Sequence, residues 1–385
     1  MIILKTLKFG SRSNQVKYLQ KLLKSIGTYT GNVDGIFGNN TKNAVILFQE
    51  KTSLDATGIV DVSTWNALVP YATIPTDIPY SYDIMMLNFQ RFRLKYSFLD
   101  FGNIGTSVME KEIPYIQIGY GKNKVIYVAS THANEWITSP VLMKFIQDFC
   151  DAYLKEENIY NVSTKKIYEL SSIYIVPMLN PDGVDLVTND IDTHSNEYIY
   201  AKNIAQNYPP IPFPDGWKAN IQGIDLNLQF PAKWEEAKEI KYSSGYTSPA
   251  PRDFVGDFPL EAPEALEIYD FIHSNSFSLM LTYHTQGAVI YPNFLNYSPK
   301  YSSEYANIFS KISGYSVETT PFSSSFAGLK DWYIQTYNKP GYTIEVGIGV
   351  NPLPISQFDK IYSDNIGILV YGALPYNEIP PEAKI

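Results

Sequence analysis

KVIYVASTHANEW, Lys124 to Trp136, joins two kinds of sequence. Its first half, Val125-Ile126-Tyr127-Val128-Ala129, is a continuous apolar run, as a strand covered on both faces requires. Its second half turns polar and sets His132 and Glu135 three residues apart. SPVLMKFIQDFCDAYLKE follows, with Ser139 placed to cap a helix, Pro140 to take its first position, and Val141, Leu142, Phe145, Ile146, Phe149, Tyr153 and Leu154 to make one apolar face. The pattern recurs from Tyr82 onward, where KVIYVAS, SSIYIVPML, FSLMLTYH and GYTIEVG alternate with amphipathic helices. This predicts an α/β fold, a sheet with helices on both faces.

In such sheets, sites gather where strands end. His132 and Glu135 stand at such an end, and a catalytic zinc site needs about three ligands from His, Asp or Glu. Alone, the spacing is weak evidence, because chance supplies it easily. His284 closes the apolar run Phe277–Tyr283 and is the best third ligand, the alternative being a hydrogen-bonded core histidine. His194 lies in the polar loop NDIDTHSNE, and His273 stands near a helix end, where a cation suits the dipole. Neither reads as a ligand. The chemistry also needs a base to deprotonate the attacking water, and Glu345 in GYTIEVGIG is the candidate. Strand alternation puts it on one face with Thr343. A carboxylate in so apolar a strand is costly unless it is paired or working; an exposed strand face is the alternative.

The remaining sequence bounds the problem. With 385 residues and 45% hydrophobic content, two domains are expected. The net charge of -9 and the lack of any basic run argue against a nucleic-acid partner. Cys150, the single cysteine, allows no intrachain disulfide and reads as a buried helix residue. No secretory signal is seen in MIILKTLKFG, and no stretch is apolar enough to span a membrane. Synthesis in a reducing compartment, with any export by another route, is the expected itinerary. Residues 1–70 read as a small three-helix domain: Val16, Leu19, Leu22 and Leu23 mark one helix, and Ala44, Val45, Leu47 and Phe48 another. Between them Asp34-Gly35 signals a turn and Thr41 a cap; TGIVDVSTW then echoes the Gly-Ile…Thr device. Residues 71–80 (YATIPTDIPY) read as a stiff linker, 81–378 as the catalytic domain and 379–385 as a tail of little consequence.

Residues 5–70, through Gly10, DGIFGNNTKNAVILFQ and TGIVDVSTWNAL, resemble the peptidoglycan-binding domains of cell-wall hydrolases. Residues 82 to about 374 resemble the zinc carboxypeptidase A family. SYDIMMLNFQRF, THANEW, NPDG, GIDLN, YHTQG and TIEVG occur in the family's order. The resemblance implies an α/β fold with a mixed central sheet, and one zinc ion held by His132, Glu135 and His284, with Glu345 as general base. Three departures bear on substrate. The family's carboxylate-gripping Asn-Arg pair is Asn227-Leu228 here, WKANIQG holds no arginine to steady the oxyanion, and Ser323–Ser325 replaces the mobile tyrosine. DLNLQFPAKW and Pro251-Arg252-Asp253 instead resemble the γ-D-glutamyl-diamino-acid peptidase branch, which cuts wall peptides. Peptidoglycan and its stem peptides are thus the expected partners, with Arg252, Lys330 and Asn227 binding substrate, and the resemblance implies synthesis in the bacterial cytoplasm with action at the cell wall or, during sporulation, the spore wall. A general carboxypeptidase of protein C-termini and a catalytically inactive wall binder are the alternatives.

Overall fold

The computed structural model describes residues 4–384; the first three residues of the N-terminal segment and Ile385 of the tail lie outside the described residues. The N-terminal part is built on three helices, α1 (Asn14–Ile26), α2 (Asn39–Lys51) and α3 (Val62–Leu68). The echo in its sequence has a physical cause. Gln20 of α1 is fully buried, and its side-chain oxygen accepts from the N–H groups of Asp34 (3.0 Å) and Gly35 (2.9 Å). Its amide donates to Ile36 O and Thr41 Oγ1, both at 3.1 Å. Gln49 of α2 repeats the arrangement, accepting from Gly58 N (2.9 Å) and donating to Ile59 O (2.8 Å) and Thr64 Oγ1 (3.0 Å). Each glutamine therefore ties its helix to a turn whose glycine, Gly35 or Gly58, takes the positive φ that other residues resist. Thr41 is a partner of Gln20 inside the first turn of α2 rather than the expected cap, which is Gly38.

The stretch 71–80, expected as a stiff linker, packs against the elements on either side of it. Ala72, Ile78 and Tyr80 are buried in one core with α1 and the next helix, α4 (Tyr82–Lys95). The Tyr18 hydroxyl donates to Thr73 O (2.6 Å) and accepts from Thr73 N (3.0 Å). Gln15 donates to Asp83 (2.6 Å) and Asn14 to Thr188 O (2.7 Å), so polar ties flank the apolar contact. The tail is likewise anchored, through buried Ile379 and Ala383.

The sheet has eight strands: β1 (Asp100–Thr106), β2 (Glu112–Ile118), β3 (Asn123–Ala129), β4 (Ser171–Val176), β5 (Leu279–His284), β6 (Val289–Tyr291), β7 (Ser316–Val317) and β8 (Gly341–Glu345). They lie in the order β1-β2-β4-β3-β5-β8-β6-β7. The central four, β4-β3-β5-β8, are parallel, while β1–β2, β2–β4 and β8–β6 pair antiparallel. Alternation along β3 serves two cores: Val125, Tyr127 and Ala129 join one, Ile126 and Val128 the other. The first core takes α5 (Thr138–Leu154), with Cys150 buried in it, and the helix Phe358–Gly372; the second takes the helices Pro263–His273 and Leu329–Tyr337. Helices thus cover both faces, and a strand buried on both sides must be apolar throughout. Helix α5 starts two residues earlier than its sequence suggests, at Thr138 rather than Pro140; Ser139 sits inside the first turn, its hydroxyl 2.7 Å from that of Ser130.

Replacing Gln20 by alanine should cost about 2–3 kcal/mol of stability, since two turn N–H groups lose their acceptor in a dry site. Chemical denaturation of the full chain checks this, with an unchanged midpoint as the contrary result.

Candidate metal centre and catalytic cleft

Parallel register brings the strand ends level: Ala129 pairs with Tyr283, and His284 with Glu345. His284 and Glu345 are the last residues of β5 and β8. His132 follows β3 by three residues, across Ser130, whose φ of 49° is strained for a residue with a side chain. The neighbourhood fixes that turn. Ser130 N donates to Thr138 Oγ1 (3.0 Å), and Asn180 N, beyond β4, donates to Ser130 O (3.0 Å). Glu135 ends a short 3-10 turn, Ala133–Glu135, whose Ala133 N–H is taken by Lys218 O (3.0 Å).

Three buried donors converge there. The Nδ1 atoms of His132 and His284 are 3.1 Å apart, and Glu135 offers one carboxylate oxygen to each, at 3.0 and 2.9 Å. At Zn–N bonds of 2.0–2.1 Å, the edge of a tetrahedral site is about 3.3 Å, so the donor set and its spacing fit a zinc ion. The imidazoles and carboxylate also match zinc's ligand preference. Burial opposes charge on all three groups. Against it, His132 and Lys218 hold Glu135 well below the usual carboxylate range. Glu135 and Asp225 raise His132 to about 9, while burial depresses His284.

Asp225 is the outer support. It accepts from His132 Nε2 (3.1 Å) through one oxygen and from Asp253 N (3.1 Å) through the other. Such a carboxylate fixes the imidazole's tautomer and leaves Nδ1 to face the metal. Burial would raise Asp225, but His132 and Lys218 carry it far below its ordinary value. Asp253 in turn pairs with Lys241 (2.5 Å) and with Arg252 Nε (2.6 Å). A chain of contacts therefore runs from a metal-site histidine to the Arg252 guanidinium.

A cleft of about 200 Å³ opens over the centre, lined among others by Lys218, Asn227, Arg252, Lys330 and Glu345. Burial and the Glu135 charge push Glu345 up to about 8, with Lys218 and His132 pulling the other way. Lys218 Nζ lies 3.0 Å from Glu135; burial works to lower the ammonium's pKa, but Glu135, with Asp225 and Glu345 adding to it, raises it. Asn227 accepts from Leu329 N (3.1 Å), which leaves its amide hydrogens for the cleft. Lys330 is buried, 2.6 Å from both Asp331 and Asn293 O. Leu228 packs into the second core, where a guanidinium would be costly.

The seven residues singled out from sequence thus lie in or beside one cleft. His194 is exposed, and His273 ends its helix against Tyr337 (3.1 Å); both stand apart. Two further residues of the site carry no signal in the sequence: Asp225 stands within GIDLN beside the more conspicuous Asn227, and Lys218 follows Trp217 in a stretch without arginine. Asp225→Asn should weaken zinc binding about 10- to 100-fold, read by competition with a chromogenic chelator at one zinc per chain. An unaltered affinity would remove Asp225 from the supporting set.

Residues 89–366 match the zinc carboxypeptidase family model, and residues 12–68 that of the peptidoglycan binding domain. The chain is 44% identical over 293 residues to gamma-D-glutamyl-L-diamino acid endopeptidase 1 of Lysinibacillus sphaericus, covering 76% of this chain and 72% of the relative. It is 37% identical to protein YqgT of Bacillus subtilis (strain 168), over 74% of each. Carboxypeptidase A of Helicoverpa armigera has the same fold, with a TM-score of 0.58 at 15% identity, covering 96% of this chain and 97% of that one. Matching family model, ordered motifs and metal-binding geometry agree: the chain belongs to the zinc carboxypeptidase family of metallopeptidases, with a peptidoglycan binding domain in its N-terminal part.

Proposed function

We propose that the protein hydrolyses the γ-D-glutamyl–diamino-acid bond of peptidoglycan stem peptides, while its N-terminal domain holds the wall. The observation that carries this reading is the cleft itself: Lys218, Lys241, Arg252 and Lys330 line it, and Leu228 stands where a C-terminal carboxylate would need an arginine. Wall stems bring several carboxylates yet continue past the cut bond, so cations are wanted and a terminal-carboxylate clamp is not. The name of the Lysinibacillus relative describes that bond. Its action belongs at the cell wall, vegetative or spore.

His132, Glu135 and His284 hold the zinc, which when bound supplies Lewis-acid polarisation of the attacking water and the scissile carbonyl. Glu345 takes the proton from that water and returns it to the departing amine as the C–N bond breaks. Lys218, beside Glu135, faces the negative charge that grows on the carbonyl oxygen, the task that the missing arginine leaves open. Arg252 takes the free α-carboxylate of the D-glutamyl residue. Lys330 and the Asn227 amide meet the diamino acid.

A general carboxypeptidase is disfavoured by Leu228, and an inactive wall binder by the assembled donor set and the adjoining Glu345. Mass spectrometry of defined stem peptides, with and without chelator, separates the three. Cleavage between D-glutamate and the diamino acid, abolished by chelation, is expected; cleavage only at the Ala–D-Glu bond would overturn the reading. Glu345→Gln should lower kcat about 10²- to 10⁴-fold with zinc content retained.

The acid limb of kcat/KM has a definite sign. Glu345 works as the carboxylate, so activity rises with pH through its raised pKa, which a bound dication brings down from about 8. Lys218→Met removes a cation that lowers that pKa, so the limb should move alkaline while kcat falls about 10²- to 10³-fold. A pH–rate profile that loses height without shifting would detach Lys218 from Glu345.

A further inference from the structure

A second cleft, of about 630 Å³, lies on the far side of the wall that bounds the catalytic one. The two share that wall. Lys218, Arg252 and Asp253 face the metal centre, while Ile221, Gln222, Phe254 and Asp257 face the second cleft. The wall is a hydrogen-bonded ribbon rather than a loose loop. Lys218 N and Ala219 N donate to Pro251 O (2.7 and 3.0 Å), Ala250 N to Gly223 O (3.0 Å) and Asp225 N to Phe254 O (2.9 Å).

The chemistry of the two sides differs. Four cations, each beside a carboxylate, line the catalytic cleft; among the described residues lining the second cleft there is no lysine, arginine or histidine. Its floor is apolar, through Ile221, Ile224 and Phe254. Its rim carries neutral hydrogen-bonding groups, Asn196, Gln222, Thr247 and Ser248, beside the half-exposed ring of Tyr200. Glu197 and Asp257 add acceptors that would repel any anion. A volume within the range of ligand sites, an aromatic face, neutral amides and free acceptors suit a neutral polyhydroxyl ligand with an apolar acetyl group.

We propose that this cleft binds the N-acetylated amino sugars of the wall glycan to which the stem peptide is attached. The proposal rests on the stem-peptidase reading of the neighbouring cleft. The glycan is neutral at the attachment point, because the lactyl carboxyl is consumed in the amide to the stem. One substrate then straddles the ribbon: its anionic peptide lies on the cationic side and its uncharged sugars on the other.

The test compares the zinc-loaded full chain on a free tetrapeptide stem and on the same stem carrying its N-acetylglucosaminyl-N-acetylmuramyl disaccharide. The disaccharide form should have a kcat/KM about five- to tenfold higher, carried by KM. Tyr200→Ala and Gln222→Ala should erase that advantage while the free stem is cut as before. Equal kcat/KM on both substrates in the wild type overturns the proposal. So does an advantage that survives both substitutions, which assigns sugar recognition to the N-terminal helices. Calorimetric titration of the soluble disaccharide, its lactyl carboxyl capped as an amide, into Glu345→Gln reads the cleft without turnover. Saturable binding lost with Tyr200→Ala supports the sugar site even if no stem is cut, a result that would sink only the peptidase reading. No binding, or binding indifferent to Tyr200, sinks the sugar site even if stems are cut.

Discussion

Two imidazole nitrogens 3.1 Å apart, each facing the same buried carboxylate, make an arrangement that protein groups alone satisfy poorly. Lone pairs and negative charge are gathered where water is excluded, and only a cation between them repays the desolvation. Much of the surrounding structure follows from this concentration of charge. Lys218 is drawn against Glu135, Asp225 is drawn against the outer nitrogen of His132, and Asp253 with its two cations stands behind Asp225. The sheet contributes the stiffness, since parallel register leaves the ends of β3, β5 and β8 no freedom to drift apart.

The same register explains why Glu345 is both close to the centre and reluctant to ionise. It pairs with His284 across the strands and shares the cleft with Glu135, so its charge is opposed by burial and by a like neighbour. A carboxylate so placed has a proton affinity nearer to that of its task than a solvated one would have.

What could be read in the sequence, and what could not, divides along physical lines. The strands of the central sheet announce themselves because burial on both faces demands unbroken apolar runs, and His284 and Glu345 could be picked out because polar groups at the ends of such runs are conspicuous. Lys218 and Asp225 were missed because they lie in irregular chain, where no period marks a direction and only folding brings Trp217–Asn227 against the metal loop. Arg252 and Lys330 were named for their charge alone; that Arg252 leans on Asp253 while Lys330 is buried against Asp331 is a matter of packing that spacing does not encode. The caps erred for a related reason. Thr41 and Ser139 have the chemistry of a cap, but distant partners, Gln20 and Ser130, claim their hydroxyls.

The clasp between Tyr18 and Thr73, with Ala72, Ile78 and Tyr80 sunk in a common core, gives the wall-binding helices a fixed mount. A loose tether lets a catalytic unit sweep a sphere around its anchor. A fixed mount offers a single bearing instead. Each grip on the polymer would present the cleft to one neighbourhood of stems at a set distance and angle, and reaching the next would require letting go. The spacing of cuts along the wall would then record the geometry of the molecule rather than the length of a leash.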